Sequence, residues 1–154
     1  MSEKILTLCI IHQHPKVLLG MKKRGFGAGK WNGFGGKVMD GESIEEAARR
    51  EVREEIDVYV SDLEKAGELN FEFKNKHGEK LKVHVFRVED FQGEPVESEE
   101  MKPEWFFIDQ IPFKDMWPDD VYWLPLFFAR KKFVGHFYFA DENTLIDRKI
   151  ELIN

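Results

Sequence analysis

Apolar and polar residues alternate along several short segments of the chain, a pattern typical of β-strands that bury one face. Seven segments carry it: residues 4–11, 16–21, 65–74, 80–88, 104–108, 134–139 and 144–150. A turn at 12–15 joins the first two, and the polar stretch K-N-K-H-G-E separates the third from the fourth. The pattern predicts a β-sheet, with the last two segments as strands or a short hairpin.

The hydrophobic repeat changes to that of an α-helix at residues 43–56. Ser43 and Glu46 have the spacing of a capping box, which marks the start of a helix. The apolar residues of the segment then fall on one face, which predicts that this face is buried. They are Ala47, Ala48, Val52 and Ile56.

A second helix is expected to begin near Pro118 or Asp119 and to run to about Lys132. Pro125 should shorten or kink it, because proline lacks the N–H that a helix interior needs. No internal repeat, low-complexity tract or Pro/Gly/Ser linker interrupts the chain. We therefore predict one α/β domain over residues 1–154, with a sheet covered by two helices.

The first helix carries acids on the face that should be buried. At about 100° per residue from Ile44, Glu51 and Glu55 fall at about −20° and +20°, and Glu54 lies near the edge of the apolar stripe. A glutamate-rich helix is usually a solvated face, but that reading fails for acids that point inward. Converging carboxylates repel each other, and hard divalent cations such as Mg²⁺ relieve the repulsion. Arg50 could orient Glu54 through a bidentate contact.

Charge and composition narrow the class of ligand. The chain has 23 Lys and Arg against 29 Asp and Glu, a net charge of −6, which disfavours a nucleic-acid polymer as partner. A small anionic ligand remains open where a metal ion supplies positive charge. No apolar run approaches the roughly 18 residues of a membrane span. The single cysteine, Cys9, is expected to be a buried thiol in a reducing compartment, which favours the cytoplasm and leaves mitochondria or the nucleus open.

Residues 24–37 form a glycine-rich loop, R-G-F-G-A-G-K-W-N-G-F-G-G-K. Its glycines would let the backbone approach phosphate closely, although a tight turn is an equal alternative. The loop is not a P-loop, because Gly29 and Lys30 are followed by Trp31.

The motif Gly36-x5-Glu42-x7-Arg50-Glu51-Val52-x-Glu54-Glu55-x-Asp57-Val58 resembles the Nudix box, G-x5-E-x7-R-E-U-x-E-E-x-G-U, where U is aliphatic. Eight of its nine specified positions are met. The exception is Asp57, which replaces a glycine at a position suited to a left-handed helix cap, a conformation that Asp tolerates. The resemblance implies a Nudix α/β/α sandwich with a mixed sheet, and cleavage of nucleoside diphosphate derivatives with Mg²⁺, or Mn²⁺ in its place.

The resemblance also implies roles for individual residues. Glu51, Glu54 and Glu55 become metal ligands, together with the backbone carbonyl of Gly35, and Arg50 belongs to the same catalytic motif. Glu100 would otherwise be a solvated loop charge, but by position it becomes a metal-site residue or the general base. The identity of the base stays open among Glu54, Glu55 and Glu100.

Outside the box, the chain is similar to the MutT-homologue branch of the superfamily, which hydrolyses oxidised purine nucleoside triphosphates. The matching stretches include L-L-G-M-K-K-R-G-F-G-A-G-K-W-N-G-F-G-G-K-V, F-E-F, V-H-V-F, P-V-E-S-E-E-M-K-P and D-Q-I-P-F-K-D-M-W-P-D-D. The polar loop at 74–80 looks longer than usual, and Leu81 stands where we expect methionine. Leu81 bears on packing against the base, so substrate preference is less fixed than reaction type.

In that branch the nucleotide lies in an aromatic pocket. By position, the residues expected to bind it are Thr7, Lys22, Phe26, Asn32, Phe34, Gly35, Gly36, Lys37, Phe71, Phe73, Leu81, Met101, Trp117, Pro118, Asp119, Asp120 and Trp123. Without the resemblance, Phe71 and Phe73 would be core residues and Asn32 a turn residue. Trp117 and Trp123 would be core or rim packing. Lys22, which could reach a phosphate, would be surface charge.

Asp119 and Asp120 are adjacent acids among aromatic residues. Helix capping is one explanation, because acids favour the first turn of a helix. In an apolar pocket they would instead titrate as a coupled pair, with one pKa raised by burial and repulsion, while the helix N-terminus would lower it. A protonated carboxyl donates a hydrogen bond and an ionised one only accepts. The pair could therefore match 8-oxo-guanine in one protonation pattern and 2-oxo-adenine in another.

The sequence thus predicts a Mg²⁺-dependent pyrophosphohydrolase that converts oxidised purine nucleoside triphosphates to monophosphate and pyrophosphate. One alternative keeps the catalyst but changes the substrate to an alkylated purine triphosphate, an undamaged nucleotide or a dinucleotide such as ADP-ribose. Another is a nucleotide-binding protein without catalysis. Nothing in the sequence suggests an obligate interface, so we expect a monomer.

Overall fold

A computed structural model describes residues 2–76 and 78–154 of the chain. Met1, at the start of the predicted domain, and His77, in the predicted polar connection, lie outside the described residues. The strands are β1 (Ser2–Gln13), β2 (Lys16–Lys22), β3 (Trp31–Asn32), β4 (Glu64–Phe73), β5 (Glu79–Val88), β6 (Met101–Phe107), β7 (Lys132–Asp141) and β8 (Thr144–Ile153). The helices are α1 (Ile44–Ile56) and α2 (Asp120–Phe128).

The strands form one mixed sheet in the order β3-β2-β1-β5-β4-β7-β8, and β6 pairs with β2. Strand β1 runs parallel to β5, and β4 runs parallel to β7. The β1–β2, β4–β5 and β7–β8 pairs are antiparallel. The mixed sheet is therefore as the resemblance implied.

Side chains alternate across the sheet and form two cores, one on each face. Along β1, Leu8 and Ile10 belong to the core that packs against α2, while Cys9 and Ile11 belong to the core that packs against α1. The predicted α/β/α sandwich is confirmed. Burial raises the pKa of the Cys9 thiol to about 12, so this cysteine is the buried, protonated residue that the sequence predicted. Neither helix of the described chain is long and apolar enough to cross a membrane.

Helix α1 begins and ends where the sequence predicted. The Ser43 hydroxyl accepts the Glu46 N–H, and the Glu46 carboxylate accepts the Ser43 N–H, at 3.1 Å each. Asp57 ends the helix in the left-handed conformation, with φ 55° and ψ 40°. The capping box and the departure from glycine are therefore both explained by local geometry.

Helix α2 is shorter than predicted, because it ends at Phe128 and not near residue 132. Arg130 adopts a left-handed φ of 60°, and the N–H groups of Arg130 and Lys131 donate to the carbonyls of Phe127 and Leu126. These bonds form a Schellman motif, which satisfies the last carbonyls and stops the helix. The sequence signal was absent because this position is usually glycine.

Strand β6 is longer than predicted, because it begins at Met101 and not at Glu104. Its first residues, Met101, Lys102 and Pro103, become a strand through pairing with β2, in which Met101 lies opposite Lys22. The short strand β3, inside the glycine-rich loop, was not predicted and arises in the same way from pairing with β2. Neither pairing leaves an alternating pattern in the sequence.

A buried arginine ties the C-terminal end of α2 to the sheet. Arg87 of β5 donates to the Phe127 carbonyl at 2.5 Å, and its guanidinium lies 4.0 Å from the centre of the Phe127 ring. A second nitrogen of Arg87 lies 2.9 Å from Nε2 of His12 on β1. Burial and the positive charge of Arg87 lower the pKa of His12 to about 4, so this histidine is neutral and can accept that bond. These contacts fix α2 against β1 and β5.

Candidate active site

A cavity of about 200 Å³ lies beside the glycine-rich loop and is lined by residues of the core under α2 and, at its other end, by Glu55 of α1. It brings together most of the predicted site residues: Thr7, Lys22, Phe26, Asn32, Gly35, Gly36, Glu55, Phe71, Phe73, Leu81, Met101, Trp117, Asp119 and Asp120. The predicted nucleotide-binding residues outside its lining are Phe34, Lys37, Pro118 and Trp123. Residues from both ends of the sequence motif and from the aromatic segments therefore meet in one cavity.

Aromatic rings form the walls at one end of the cavity. The ring centres of Phe26 and Trp117 are 5.1 Å apart, and those of Phe26 and Phe73 are 5.6 Å apart. Phe73 also stacks on Phe139, with centres 5.1 Å apart. These rings provide flat apolar surfaces of the kind that bind a planar base.

Asp119 and Asp120 are buried at this aromatic end, with 1% and 3% of their surface exposed. The indole N–H of Trp123 donates to Oδ2 of Asp119 at 2.8 Å and to Oδ1 of Asp120 at 3.1 Å. The other carboxyl oxygens, Oδ1 of Asp119 and Oδ2 of Asp120, are buried and have no hydrogen-bond partner among the described residues. Asp119 precedes α2 but makes no side-chain capping bond, so capping does not explain the pair.

Burial raises the pKa of Asp119 and Asp120, and the charge of Asp119 raises that of Asp120 further. The hydrogen bonds from Trp123 and the backbone lower both pKa values but do not offset the burial. The sequence left the direction of the net shift open, and the structure gives it as upward. The pair therefore retains a proton to higher pH than exposed aspartates do.

Two of the aromatic residues outside the cavity act differently from the prediction. Trp123 is fully buried, packs against Phe133 with ring centres 5.6 Å apart, and holds the aspartates from behind. Phe34 is fully buried in the core under α1. Both are core residues: Trp123 packs in the core under α2, and Phe34 packs in the core under α1.

At the other end of the cavity, Arg50 organises the acids of α1. It donates from Nε and Nη2 to both carboxylate oxygens of Glu42, at 2.6 and 3.0 Å. Its Nη1 donates to Glu51 at 2.8 Å and to Glu54 at 3.2 Å. Nη2 also donates to the carbonyl of Lys37 at 3.0 Å, so Lys37 contributes through its backbone. The expected contact with Glu54 is present, but the bidentate partner is Glu42, a motif residue for which no role was predicted.

Glu55 is the buried acid of the motif, with 6% of its surface exposed. The backbone N–H of Gly35 donates to its Oε1 at 2.9 Å. Burial raises the pKa of Glu55 to about 8, and the negative charges of Glu51 and Glu100 add to that rise. The ionised form of this carboxyl group is therefore disfavoured, and a nearby cation would stabilise it.

Two glycines allow the loop to approach these acids. A Cβ atom on Gly35 would lie 1.9 Å from the Thr7 carbonyl oxygen, and one on Gly36 would lie 2.5 Å from the carboxyl carbon of Glu51. A side chain at position 35 would therefore clash with fixed backbone, whereas one at position 36 would displace the end of the flexible Glu51 side chain.

The side chains of Glu54 and Glu100, two of the predicted metal ligands, extend into solvent and do not converge with Glu55. The side chains of Glu54 and Glu100 are 58% and 60% exposed, and Glu100 lies 3.8 Å from Arg24. Over residues 2–76 and 78–154, no group of three His, Cys, Asp or Glu side chains is arranged to hold a metal ion. The donor chemistry nevertheless suits a hard divalent cation, because the acids are oxygen donors and the exposed ones are free to rotate.

Other predicted residues have partners within the protein. The Lys22 ammonium donates to the Phe26 carbonyl at 2.7 Å. The Asn32 side chain accepts the N–H of Gly33 at 2.8 Å, as a turn residue does, and still lines the cavity. The lining includes Gly33, one of the glycines expected to approach phosphate, and several residues that the sequence did not predict: Leu6, Leu8, Gly27, Lys30, Leu69 and Val83. The apolar ones alternate with core residues on strands, so their pattern does not distinguish a cavity wall from a core.

Comparison with known proteins agrees with this geometry. The NUDIX domain model matches residues 4–127. The chain is 52% identical to oxidized purine nucleoside triphosphate hydrolase of Danio rerio, over 97% of this chain and 96% of that protein. It is 50% identical to the Mus musculus protein of the same name, over 99% and 97% of the two chains. The crystal structure of a MutT protein from Bacillus halodurans superposes with a TM-score of 0.85 at 27% identity, covering 96% of this chain and 97% of that one.

Nudix hydrolases act on small-molecule nucleotides and generally use divalent metal cations. The motif, the sandwich and the match over most of the chain identify the protein as a member of the NUDIX domain family, a Nudix hydrolase.

Proposed function

We propose that this protein hydrolyses oxidised purine nucleoside triphosphates, such as 8-oxo-dGTP and 2-oxo-dATP, to nucleoside monophosphate and pyrophosphate. The observation that carries the proposal is the pair of carboxyl oxygens on Asp119 and Asp120 that have no partner within residues 2–76 and 78–154 and are buried in an aromatic cavity that also reaches Glu55. Buried polar atoms without partners are costly, so a ligand that supplies the missing bonds gains affinity there. The names of the two vertebrate relatives support the same substrate class.

The aspartate pair can serve both oxidised purines through the position of its protons. An ionised carboxyl accepts hydrogen bonds from N–H groups of a base, whereas a protonated one also donates to a ring nitrogen or carbonyl. Since burial raises the pKa of both groups, the pair retains a proton to higher pH than exposed aspartates do and can offer a donor as well as acceptors. Trp117 and Phe26 would stack on the base while the carboxyls bind its edge.

Glu51, Glu54, Glu55 and Glu100 would hold the divalent cation, with the Gly35 carbonyl as a further oxygen donor. We propose Mg²⁺, or Mn²⁺ in its place, because both accept carboxylate oxygens. When bound, the metal supplies positive charge against the phosphates. Arg50 orients Glu51 and Glu54 toward this site through the contacts described above. A glutamate among Glu54, Glu55 and Glu100 would take the proton of the attacking water.

A nucleotide panel tests the proposal. Turnover of 8-oxo-dGTP, 2-oxo-dATP, dGTP, dATP, an alkylated purine triphosphate and ADP-ribose is followed with Mg²⁺ at two pH values, by detection of pyrophosphate and monophosphate. We expect the two oxidised purines to have the highest kcat/KM. Faster turnover of another nucleotide would reassign the substrate, and absence of product with every triphosphate would leave a non-catalytic nucleotide-binding protein.

Recognition of the two oxidised purines by the position of the protons on Asp119 and Asp120 has a separate test. The pH profiles of kcat/KM for 8-oxo-dGTP and 2-oxo-dATP are compared in wild type, Asp119→Asn and Asp120→Asn. We expect the two substrates to have different profiles in wild type and the difference to shrink in the variants. Identical profiles for both substrates in all three proteins would refute recognition by proton position.

A further inference from the structure

One peptide group in the glycine-rich loop is held at both of its polar ends by charged side chains. The carbonyl of the Phe26–Gly27 peptide accepts a hydrogen bond from the Lys22 ammonium at 2.7 Å. The N–H of the same peptide donates to Oε1 of Glu142 at 3.0 Å. A cation thus faces the negative end of the peptide dipole and an anion faces the positive end, so both charges favour one orientation of the peptide.

Glu142 comes from a distant part of the chain, the turn between β7 and β8. The Asn143 N–H donates to the Asp141 side chain at 2.9 Å, which fixes the turn. Beside Glu142, the Asn143 side chain accepts from the Lys30 ammonium at 2.7 Å. The turn therefore contacts the glycine-rich loop at two points, Gly27 and Lys30.

The orientation of this peptide determines the aromatic walls of the cavity. Gly27 is buried although the residues on either side of it are exposed, and it has a φ of +85°. A Cβ atom on Gly27 would lie 3.1 Å from the Trp117 ring, so the peptide packs directly on that indole. The Phe26 ring, on the other side of the peptide, contacts Trp117 and Phe73. A rotation of the peptide would displace both walls.

We propose that Glu142 is a positioning residue for the base pocket: by holding the Gly27 N–H it sets the placement of Phe26 and Gly27 against Trp117, and so sets the affinity for a purine base. The inference rests on the proposed function, because it assigns the affected ligand as an oxidised purine nucleotide. Glu142 itself lies outside the cavity lining, so its effect on the base is exerted through the loop.

The test compares Glu142→Ala and Glu142→Gln with Glu151→Ala, which removes an exposed acid from the same hairpin. The probe is 8-oxo-dGMP, which carries the base without the triphosphate, and its Kd is measured by quenching of tryptophan fluorescence. KM and kcat for 8-oxo-dGTP are measured in parallel. Amide hydrogen exchange of Gly27 reports directly on the hydrogen bond.

For Glu142→Ala we expect Kd and KM to rise about tenfold, the effect of losing one charge-assisted hydrogen bond, with kcat nearly unchanged. Exchange of the Gly27 amide should accelerate at the same time. Glu142→Gln should recover most of the affinity, because its amide oxygen can still accept the bond. Glu151→Ala should match wild type in every measurement.

A failure of the role of Glu142 can be distinguished from a failure of the proposed function. Normal binding by wild type together with an unchanged Kd in Glu142→Ala overturns this inference alone, whatever happens to the Gly27 amide. A fall of kcat equal to the rise of KM would also overturn it, because that result indicates a general disturbance of the active-site structure. Absence of 8-oxo-dGMP binding by wild type overturns the proposed function and this inference with it.

Discussion

Replacing Asp120 by asparagine should stabilise the protein at neutral pH while weakening its recognition of bases. Asp120 is 3% exposed, and its Oδ1 accepts from Trp123 while its Oδ2 has no partner within the described chain. Asparagine keeps the shape and the acceptor of the side chain but removes its charge. The change therefore isolates the cost of ionising a carboxyl in this cavity.

The sign of the pH dependence follows from the raised pKa. Burial and the neighbouring Asp119 raise the pKa of Asp120 above its unfolded value, so the folded state binds the proton more tightly than the unfolded chain does. Its contribution to stability is complete below the unfolded pKa and is lost as pH rises through the folded pKa. Over that window, the wild type should lose about 1.4 kcal/mol per pH unit relative to the asparagine variant. Above it the difference should level off.

We expect Asp120→Asn and wild type to have similar free energies of unfolding near pH 4. Near pH 8 the variant should be more stable, by about 1.4 kcal/mol for each unit by which folding raises the pKa of Asp120. For a domain of this size, each kcal/mol corresponds to roughly 2–4 °C in Tm. The gain in stability would accompany a lower kcat/KM for oxidised purines, as is common where a binding site retains unsatisfied groups.

The assay is urea unfolding followed by circular dichroism at several pH values between 4 and 8. Asp115→Asn, at an exposed acid in the preceding turn, serves as the control and should stay within about 0.5 kcal/mol of wild type throughout. A difference between Asp120→Asn and wild type that is constant with pH, or a loss of stability near pH 8, would refute the reasoning.

Three further predictions concern the catalytic end. Glu55→Gln should lower kcat by about 10²–10⁴-fold with 8-oxo-dGMP binding retained, measured by pyrophosphate release and fluorescence titration; near-normal turnover would count against a role as metal ligand or base. Gly36→Ala should lower kcat at least tenfold with little change in the free energy of unfolding, because its Cβ displaces the flexible Glu51 carboxylate. Gly41→Ala, at φ +81° in open space, should instead lose about 1–2 kcal/mol of stability and keep its kcat. The reverse pattern would contradict the geometry. Arg50→Lys should weaken the apparent metal affinity by about 10–100-fold in a Mg²⁺ titration of turnover, because lysine cannot hold Glu42 in a bidentate contact. In the wild type, chelation by EDTA should abolish turnover until Mg²⁺ is restored.

Features set by neighbours in sequence were predictable. The capping box of Ser43 and Glu46, the inward direction of Glu55 and the left-handed cap at Asp57 each depend on residues within about one turn of helix. The alternating strands also followed from local pattern, and the fold class is confirmed. These predictions succeeded because burial and backbone conformation leave a short-range period in the sequence.

Features set by distant neighbours were not predictable in the same way. Strand β6 extends to Met101 because β2 pairs with it, and the Gly27 N–H finds its acceptor 115 residues away at Glu142. The Trp123 indole was assigned to the pocket by position, from the resemblance to the MutT-homologue branch, with core or rim packing as the alternative. Its N–H instead supports the acids from the core, a distinction that depends on which face of α2 packs against the sheet.

The two ends of the cavity are carried by different parts of the fold, and this separation bears on how substrate preference changes. Helix α1 and its acids pack on one face of the sheet, while α2 packs on the other and places the aspartates. The glycine-rich loop connects the ends, since Gly35 contacts Glu55 and Gly27 contacts Trp117. Substitutions on β4 and β5, such as the leucine at position 81, change the cavity wall, whereas the hydrogen bonds of Arg50 go to Lys37, Glu42, Glu51 and Glu54, which lie outside those strands. Relative preference among purines can therefore shift while the phosphate chemistry is retained, and changes in the loop are the ones expected to alter both.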